Sequence, residues 1–226
     1  MILHFIRHGM TAGNQRRAYI GSTDEPLCEA GEAAVREKAK TAPPCSRLIV
    51  SPMLRSRQTA SILYPQMPQE ILEDFRECDF GVFEGRTAEE MTGDAAFQGW
   101  IDADGMREFP GGEDPAAFKE RCCAAFEMLM QEITQARESA ASAQAAGGHD
   151  SILQSADGSG SIRPAAAGSD DAGGAVSLVV HGGVIMALFE RYALPRRVFY
   201  EWHVENAGGY TARWDGAQLT LLRELS

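Results

Sequence analysis

Short apolar runs alternate with longer amphipathic stretches along this chain. Residues 2–6 and 46–52 are short runs rich in β-branched or aromatic residues, and both predict buried strands. Between them, residues 30–41 combine helix-forming residues with mixed charge and predict a helix. The following sequence, MLRSRQTASILY, predicts a second helix, with Ser51 as its N-cap and Pro52 in its first position.

The second half of the chain continues this alternation. Residues 69–75 predict a third strand, and residues 86–108 predict short helices. A long helix is expected to begin near Pro115. Its apolar stripe is formed by Phe118, Cys122, Phe126, Leu129 and Ile133. Residues 176–189 predict a strand, a turn and a helix, and the chain closes with a hairpin that turns at the Asp-Gly pair of residues 215–216.

Strands that alternate with helices predict the α/β class. We expect a three-layer sandwich with a mainly parallel central sheet, helices on both faces and a small helical insertion over the functional site. Residues 1–226 are expected to form a single domain. Within it, residues 139–175 consist mostly of Ala, Gly and Ser and offer little apolar surface for burial, so we interpret them as a low-complexity, flexible insertion.

Composition narrows the classes of function. The formal net charge of −11 disfavours nucleic acids and acidic membrane surfaces as partners. No apolar run is long enough to span a bilayer, and the N-terminus lacks the basic lead and the cleavage site of a signal peptide. The five cysteines form an odd set without Cys-x-x-Cys spacing, which argues against disulfides or a zinc cluster. We therefore expect a cytoplasmic protein.

Charged side chains follow the predicted strands at their carboxyl ends, where parallel α/β folds bind ligands. Arg7 and His8 follow the first strand, and Arg55 lies one turn beyond the second. Glu77 follows the third strand, and His181 follows the strand of sequence VSLVV. If these strands are neighbours, the five side chains meet at one edge of the sheet.

These residue types suit the transfer of a phosphoryl group. Two arginines form a forked clamp for phosphate oxygens, and they lower the pKa of an imidazole held between them. His8 can therefore attack phosphorus through a free lone pair. His181 can donate a hydrogen bond to the phosphoryl oxygens, and Glu77 can protonate the leaving alkoxide and then deprotonate water. Because arginine charge replaces a metal ion here, we expect no metal and no cofactor.

The motifs that carry these residues also resemble a known family. FIRHGMTAGN, at residues 5–14, resembles the R-H-G-x-T-x-x-N signature of the histidine phosphatase superfamily, in its phosphoglycerate-mutase-like branch. Further motifs follow in the expected order: YIGSTDEPLCEAG, SPMLRSRQTA, ECDFGVFEG, FPGGED and VVHGG. The resemblance covers nearly the whole chain outside residues 139–175. Within the family, the chain resembles most the α-ribazole phosphatase or broad-specificity phosphatase type.

The resemblance implies a role for each matching position. His8 would be the phosphorylated nucleophile. The phosphate pocket would be completed by Arg7, Arg55 and His181. Further hydrogen bonds to the substrate phosphate would come from Asn14, the backbone near Gly21 and the Gly182 amide. Glu77 would be the proton donor and acceptor, with Asp79 and Glu84 as alternatives near the same strand end.

Two departures from the mutase pattern favour a phosphatase. Cofactor-dependent mutases of the family resemble R-H-G-x-S-x-W-N and follow the acid with R-H-Y-G, whereas this chain has Met-Thr-Ala-Gly at positions 10–13 and Cys-Asp-Phe-Gly at positions 78–81. The sequence thus indicates a metal-independent phosphomonoesterase that acts on a small phosphorylated metabolite through a phosphohistidine. The alternatives are phosphoglycerate mutase-type transfer, a catalytically silent phosphate-binding member and action on a phosphoprotein.

The substrate and the oligomeric state stay open at this point. The segments that would decide the substrate are residues 19–28, 86–110 and 196–206. A second anionic group of the substrate could be held by Arg107, Arg196 and Arg197, which could equally be ordinary surface charges. His203 could line the pocket or pack beside Trp202. The exposed edge of the terminal hairpin could pair with a second copy of the chain, which would give a homodimer.

Overall fold

A computed structural model describes residues 1–103, 105, 107–147 and 174–225. Within these residues, seven strands form one sheet. The strands are β1 (Ile2–Arg7), β2 (Arg47–Val50), β3 (Gln69–Ile71), β4 (Val176–Val180), β5 (Ala193–Leu194), β6 (Gly209–Trp214) and β7 (Leu219–Leu225). The α-helices are α1 (Ala12–Gln15), α2 (Glu29–Ala39), α3 (Leu54–Leu63), α4 (Ala95–Ile101), α5 (Pro115–Gly147) and α6 (Gly182–Tyr192).

The strand order β3-β2-β4-β1-β6-β7-β5 groups the parallel strands together. The pairs β3/β2, β2/β4 and β4/β1 are parallel, β6 is antiparallel to both β1 and β7, and β5 is parallel to β7. This arrangement confirms the mainly parallel sheet and the terminal hairpin. Because β5 covers the start of β7, the outer edge of the hairpin is less open than the sequence suggests.

The register between parallel strands brings three strand ends to one edge. Arg7 at the end of β1 lies opposite Val180 at the end of β4, and β2 pairs with β4 on its other side. The residues that directly follow these three strands are His8, His181 and Ser51. The His8 N–H donates to the Val180 carbonyl at 2.9 Å, so the pairing continues past the end of the strand. The sheet itself therefore sets the spacing of these side chains.

Side chains on the two faces of the sheet belong to two separate hydrophobic clusters. Phe5 of β1 is buried with Phe126 of α5 and Phe189 of α6 on one face. Ile6, the next residue, is buried with Val35 of α2 on the other face, because successive side chains of a strand point in opposite directions. Helices on both faces complete the expected three layers.

Helix α5 begins at Pro115, as predicted. Its stripe of Phe118, Cys122, Phe126, Leu129 and Ile133 is buried throughout. The helix continues to Gly147, so the first part of the predicted insertion, residues 139–147, is helical. Six of these nine residues are Ala or Gln, which favour helix even without burial, and this explains the difference. Residues 148–173 of the predicted insertion lie outside the described residues. In the part of the chain that the structure describes, no helix is long and apolar enough to cross a membrane.

The predicted N-cap of the second helix is wrong. Helix α3 begins at Leu54, and its N-cap residue Met53 makes no side-chain capping bond, whereas the Leu54 N–H donates to Asp24 Oδ1 at 2.7 Å. The Ser51 hydroxyl is instead 2.6 Å from a histidine ring nitrogen on the neighbouring strand end. The Ser51 hydroxyl thus contacts a residue distant in the sequence, and it does not make the predicted capping bond to its own helix.

The expected helical insertion lies between β3 and α5 and contains α4. Its aromatic rings pack around Tyr19 from the loop after α1 and belong to the same hydrophobic cluster as α5 and α6. The cluster members in the insertion are Phe80, Phe83, Phe97, Trp100 and Phe109. A Cβ on Gly21 would lie 1.8 Å from the Cys78 carbonyl oxygen, so the insertion packs tightly against the loop of residues 19–23. Position 21 therefore has no room for a side chain larger than that of glycine.

Candidate active site

His8 lies directly after β1 and is 3% exposed. Its Nδ1 is 2.7 Å from the carbonyl oxygen of Gly9. A carbonyl oxygen only accepts hydrogen bonds, so Nδ1 must carry the proton. In the neutral ring, the lone pair therefore lies on Nε2, and this nitrogen is the available nucleophile.

The surroundings of His8 keep its ring neutral. Burial lowers the pKa of His8 well below its usual 6.5, and the positive charges of Arg55 and Arg7 lower it further. The hydrogen bond to Gly9 opposes this effect only in part. An unprotonated imidazole near pH 7 is what nucleophilic attack requires.

Arg55 is buried at 0% exposure, although it carries a charge on the first turn of a helix. Its Nη1 donates to the Thr23 carbonyl at 2.7 Å and its Nη2 to the Gly21 carbonyl at 2.8 Å. Its buried Nε has no acceptor among the described residues. Burial lowers the pKa of Arg55, yet a guanidinium stays charged at any ordinary pH.

Arg7 presents the same pattern from β1. Its Nη1 donates to the Val204 carbonyl at 2.7 Å, and its buried Nε also has no acceptor in the described part of the chain. Gly182, the first residue of α6, lies against this guanidinium, where a Cβ would be 3.4 Å from Nε. Two guanidiniums whose buried Nε–H groups have no acceptor among the described residues can bind an anion.

His181 packs beside His8, with ring centroids 5.1 Å apart and an interplanar angle of 64°. Its Nε2 is 2.6 Å from the Ser51 Oγ, and its buried Nδ1 has no partner among the described residues. Burial lowers the pKa of His181 well below its usual value, and Arg55 and His8 add to that effect. Both histidines of the pair are therefore neutral near pH 7.

Glu77 lies against the first turn of α6. Its Oε2 accepts from the Gly183 N–H and its Oε1 from the Cys78 N–H, each at 3.1 Å. Burial raises the pKa of Glu77, an effect that these two N–H groups and the guanidiniums of Arg55 and Arg7 reduce. A raised pKa favours the protonated carboxyl, which can act as a general acid.

The two alternative acids are engaged elsewhere. Asp79 Oδ1 accepts from the Ser22 hydroxyl and the Gly81 N–H. Glu84 accepts from the N–H groups of residues 21–23 and of Phe80. Of the three carboxylates, Glu77 is the one placed beside the arginines and α6.

The family model of the histidine phosphatase superfamily, branch 1, matches residues 3–147 of this chain. The chain belongs to this superfamily. The expected resemblance is therefore confirmed, and it extends over more than half of the sequence. Phosphatases and phosphoglycerate mutase-like proteins both occur among the relatives of this histidine phosphatase.

Three curated relatives illustrate that range. An uncharacterized phosphatase, PhoE of Bacillus subtilis, is 36% identical over 91 residues, which are 38% of this chain and 47% of the relative. The adenosylcobalamin/alpha-ribazole phosphatase of Salmonella typhimurium is 31% identical over 54% of this chain and 63% of its own length. The probable phosphoglycerate mutase GpmB of Cronobacter sakazakii is 28% identical over 53% of this chain and 58% of its own length. The chain thus spans about half the length of these relatives.

Solved structures agree with the fold over the full chain. A putative alpha-ribazole-5'-P phosphatase from Escherichia coli matches with a TM-score of 0.73 at 18% identity, over 100% of this chain and 96% of that one. TTHB049 from Thermus thermophilus matches with a TM-score of 0.64 at 23% identity, over 100% of this chain and 99% of that one. The expected histidine phosphatase fold is confirmed.

The three further positions expected to bind phosphate are Asn14, Gly21 and Gly182. Asn14 Oδ1 accepts from the Thr11 N–H and from Asn206 Nδ2, so its own Nδ2 is the group it can offer a phosphate. The Gly182 N–H, at the start of α6, has no helical partner and can also donate. The Gly21 N–H, by contrast, donates to Glu84 in this structure, and its predicted contact with substrate stays a prediction.

The four side chains left open by the sequence are exposed or half-buried, and they are those of Arg107, Arg196, Arg197 and His203. Arg197 stacks over the ring of Trp202 at 4.5 Å, and Arg196 donates to the Arg191 carbonyl. His203 Nε2 lies 3.8 Å from a Glu205 oxygen. Contact of these side chains with a substrate stays a prediction.

Three polar residues of the site were missed from the sequence. Ser51 contacts His181, and Asn206 donates to the His8 carbonyl and to Asn14. Thr59 accepts from the Gly9 N–H at 2.9 Å and donates to the Arg55 carbonyl at 2.7 Å. The position of Ser51 after a strand is a signal that could have been used, whereas the loop that carries Asn206 offers none.

Proposed function

We propose that the chain is a metal-independent phosphomonoesterase that hydrolyses a small phosphorylated metabolite through a phosphohistidine on His8. One observation carries this proposal: Nε2 of a neutral, buried His8 lies beside two guanidiniums whose Nε–H groups have no acceptor among the described residues. A phosphate group supplies both the electrophile for Nε2 and the acceptors for Arg7 and Arg55.

The first half of the reaction forms the phosphoenzyme. The Nε2 lone pair of His8 bonds to phosphorus, and the bond from phosphorus to the ester oxygen breaks. The protonated Glu77 gives its proton to that leaving oxygen, so the alcohol departs neutral. Arg7, Arg55 and His181 hold the phosphoryl oxygens as negative charge moves among them.

The second half returns the enzyme to its starting state. Glu77, now a carboxylate, takes a proton from water while the water oxygen bonds to phosphorus. The bond between phosphorus and Nε2 breaks, and the electron pair returns to His8. Inorganic phosphate leaves, and Glu77 is protonated again for the next cycle.

Hydrolysis is favoured over mutase transfer by the residues that differ from the mutase pattern, at positions 10–13 and 78–81. The substrate class is proposed as a small metabolite in the cytoplasm, and a homodimer is proposed as the assembly. Because one relative is named an adenosylcobalamin/alpha-ribazole phosphatase, α-ribazole phosphate belongs first in a substrate panel. The net charge of −11 supports a small-molecule substrate over a nucleic acid.

The test measures hydrolysis of an aryl phosphate in excess chelator by wild type and by His8→Ala. We expect activity that survives the chelator in the wild type and is lost in the variant, together with an acid-labile phosphate on His8 in quenched samples. Activity that needs a metal, or that persists in His8→Ala, would contradict the proposal. Isomerisation of phosphoglycerate without net phosphate release would instead establish the mutase alternative.

A further inference from the structure

Ser51 is placed by the sheet against the second histidine of the site. β2 pairs with β4, and the Ser51 N–H donates to the Val179 carbonyl at 3.1 Å just beyond the paired residues. The Ser51 Oγ then lies 2.6 Å from His181 Nε2, and both residues are 0% exposed. The backbone therefore fixes this contact, and it does not depend on a flexible surface side chain.

The contacts of the Ser51 hydroxyl indicate which ring nitrogen of His181 carries the proton. The Ser51 Oγ already accepts a long bond, 3.4 Å, from the Met53 N–H. Its own hydroxyl proton needs an acceptor, and among the described residues His181 Nε2 is the one within reach. Nε2 therefore accepts, and in the neutral ring the proton lies on Nδ1.

We propose that Ser51 is a positioning residue that holds His181 in the Nδ1–H tautomer, so that this N–H can donate to the transferring phosphoryl group. The buried Nδ1 has no partner among the described residues, which leaves the donor for a ligand. In the opposite tautomer a lone pair would replace the donor and repel the phosphoryl oxygens. This inference deepens the proposed function and rests on it for the identity of the ligand.

The kinetic test compares Ser51→Ala, Ser51→Thr and a control. In Ser51→Ala we expect kcat to fall roughly 10- to 100-fold, as is typical when the partner that orients an active-site histidine is lost, with a smaller change in KM. Ser51→Thr keeps the hydroxyl and should recover part of the rate. The control is Ser56→Ala, because Ser56 is equally buried and its hydroxyl has no partner in the described part of the chain.

A double-mutant cycle separates positioning from a merely structural effect. If Ser51 acts through His181, then Ser51→Ala should cost little in a His181→Ala background, because the ring to be oriented is gone. Fully additive losses would overturn the proposal. An equal loss in Ser56→Ala would overturn it as well.

The tautomer can be read directly in the wild-type protein. We expect the ¹⁵N spectrum of His181 to show a proton on Nδ1 and a lone pair on Nε2 at pH 7. A proton on Nε2 would overturn the proposal even if every variant folds poorly. The two proposals can fail separately. Activity retained in His8→Ala would show that the proposed function is wrong. The spectrum would still show whether Ser51 holds His181 in the Nδ1–H tautomer.

Discussion

Arg55 and Arg57 lie two positions apart on α3, yet one is fully buried and the other is exposed. The buried guanidinium is held by the carbonyls of the loop at residues 21–23, and its Nε–H has no acceptor in the described structure. The carboxylates of Glu77, Asp24, Glu25 and Glu84 stabilise this buried charge, and a bound anion would in addition accept from the Nε–H. In the sequence, the motif SPMLRSRQTA assigns a role to Arg55 and none to Arg57, and the burial of Arg55 is the physical difference between them.

Removing the buried arginine should therefore affect catalysis, and removing its neighbour should not. We expect Arg55→Ala to lower kcat/KM for an aryl phosphate by roughly 10²- to 10³-fold, the usual effect of losing a donor to the developing charge. Arg57→Ala should stay close to wild type. Steady-state kinetics with thermal melts as a folding check measure this, and equal losses in the two variants would refute the distinction.

The two buried histidines should make stability depend on pH. Their folded pKa values lie below the 6.5 of an unfolded histidine, so the unfolded state binds more protons in acid. The stability that they contribute is complete above about pH 6.5 and is lost as pH falls toward the folded values, by up to about 1.4 kcal/mol per pH unit for each histidine. Urea unfolding of wild type from pH 8 to pH 5 measures how the free energy of unfolding depends on pH. This dependence should be weaker in the double variant His8→Gln and His181→Gln. An unchanged dependence would show that it does not come from these two histidines.

At the scale of elements, α6 meets the proposed acid at Gly183. A Cβ on Gly183 would lie 2.3 Å from Glu77 Oε1 and 3.1 Å from the Phe118 ring. We expect Gly183→Ala to displace the carboxyl and to lower kcat by about 10²-fold, since a shift of an ångström in a catalytic group has that effect.

The control for that variant is Gly99→Ala, in α4. Among the described residues, its added Cβ would meet the flexible guanidinium of Arg107, at 3.0 Å, and alanine favours the helix by about 0.5–1 kcal/mol. Gly99→Ala should therefore keep its activity and melt at the same or a higher temperature. A Gly183→Ala enzyme with wild-type kcat would show that Glu77 is not held in place by this helix turn.

Elements were predicted well wherever one local signal dominated. The apolar run of β1 and the stripe of α5 specify burial by periodicity, and both appear as expected. Prediction failed where a distant partner competed with a local one. Ser51 is a good N-cap residue by type, but His181 lies next to it in the sheet and takes its hydroxyl. Asn206 could not be found at all, because its partners His8 and Asn14 lie at the other end of the chain.

At the scale of the whole molecule, Phe126 joins separate parts of the core. Its ring lies 6.1 Å from Phe5 of β1, 5.4 Å from Tyr192 of α6 and 5.2 Å from Trp214 of β6. We expect Phe126→Ala to lower the free energy of unfolding by about 3–5 kcal/mol. Fluorescence and circular dichroism should still report one shared transition, because we predict a single domain. Two separate transitions would contradict that prediction.

The pairing of β1 with β4 has a consequence for how a protein with the proposed activity can diversify. The distance between His8 and His181 is set by main-chain hydrogen bonds, and a slip of one residue would move one ring by about 3.3 Å and turn it to the other face. Single side-chain replacements cannot retune that distance gradually. New substrate preferences must therefore arise in segments outside the ladder, and a mutant library that varies residues 19–23 and 95–101 while leaving both strands intact is the efficient way to look for them.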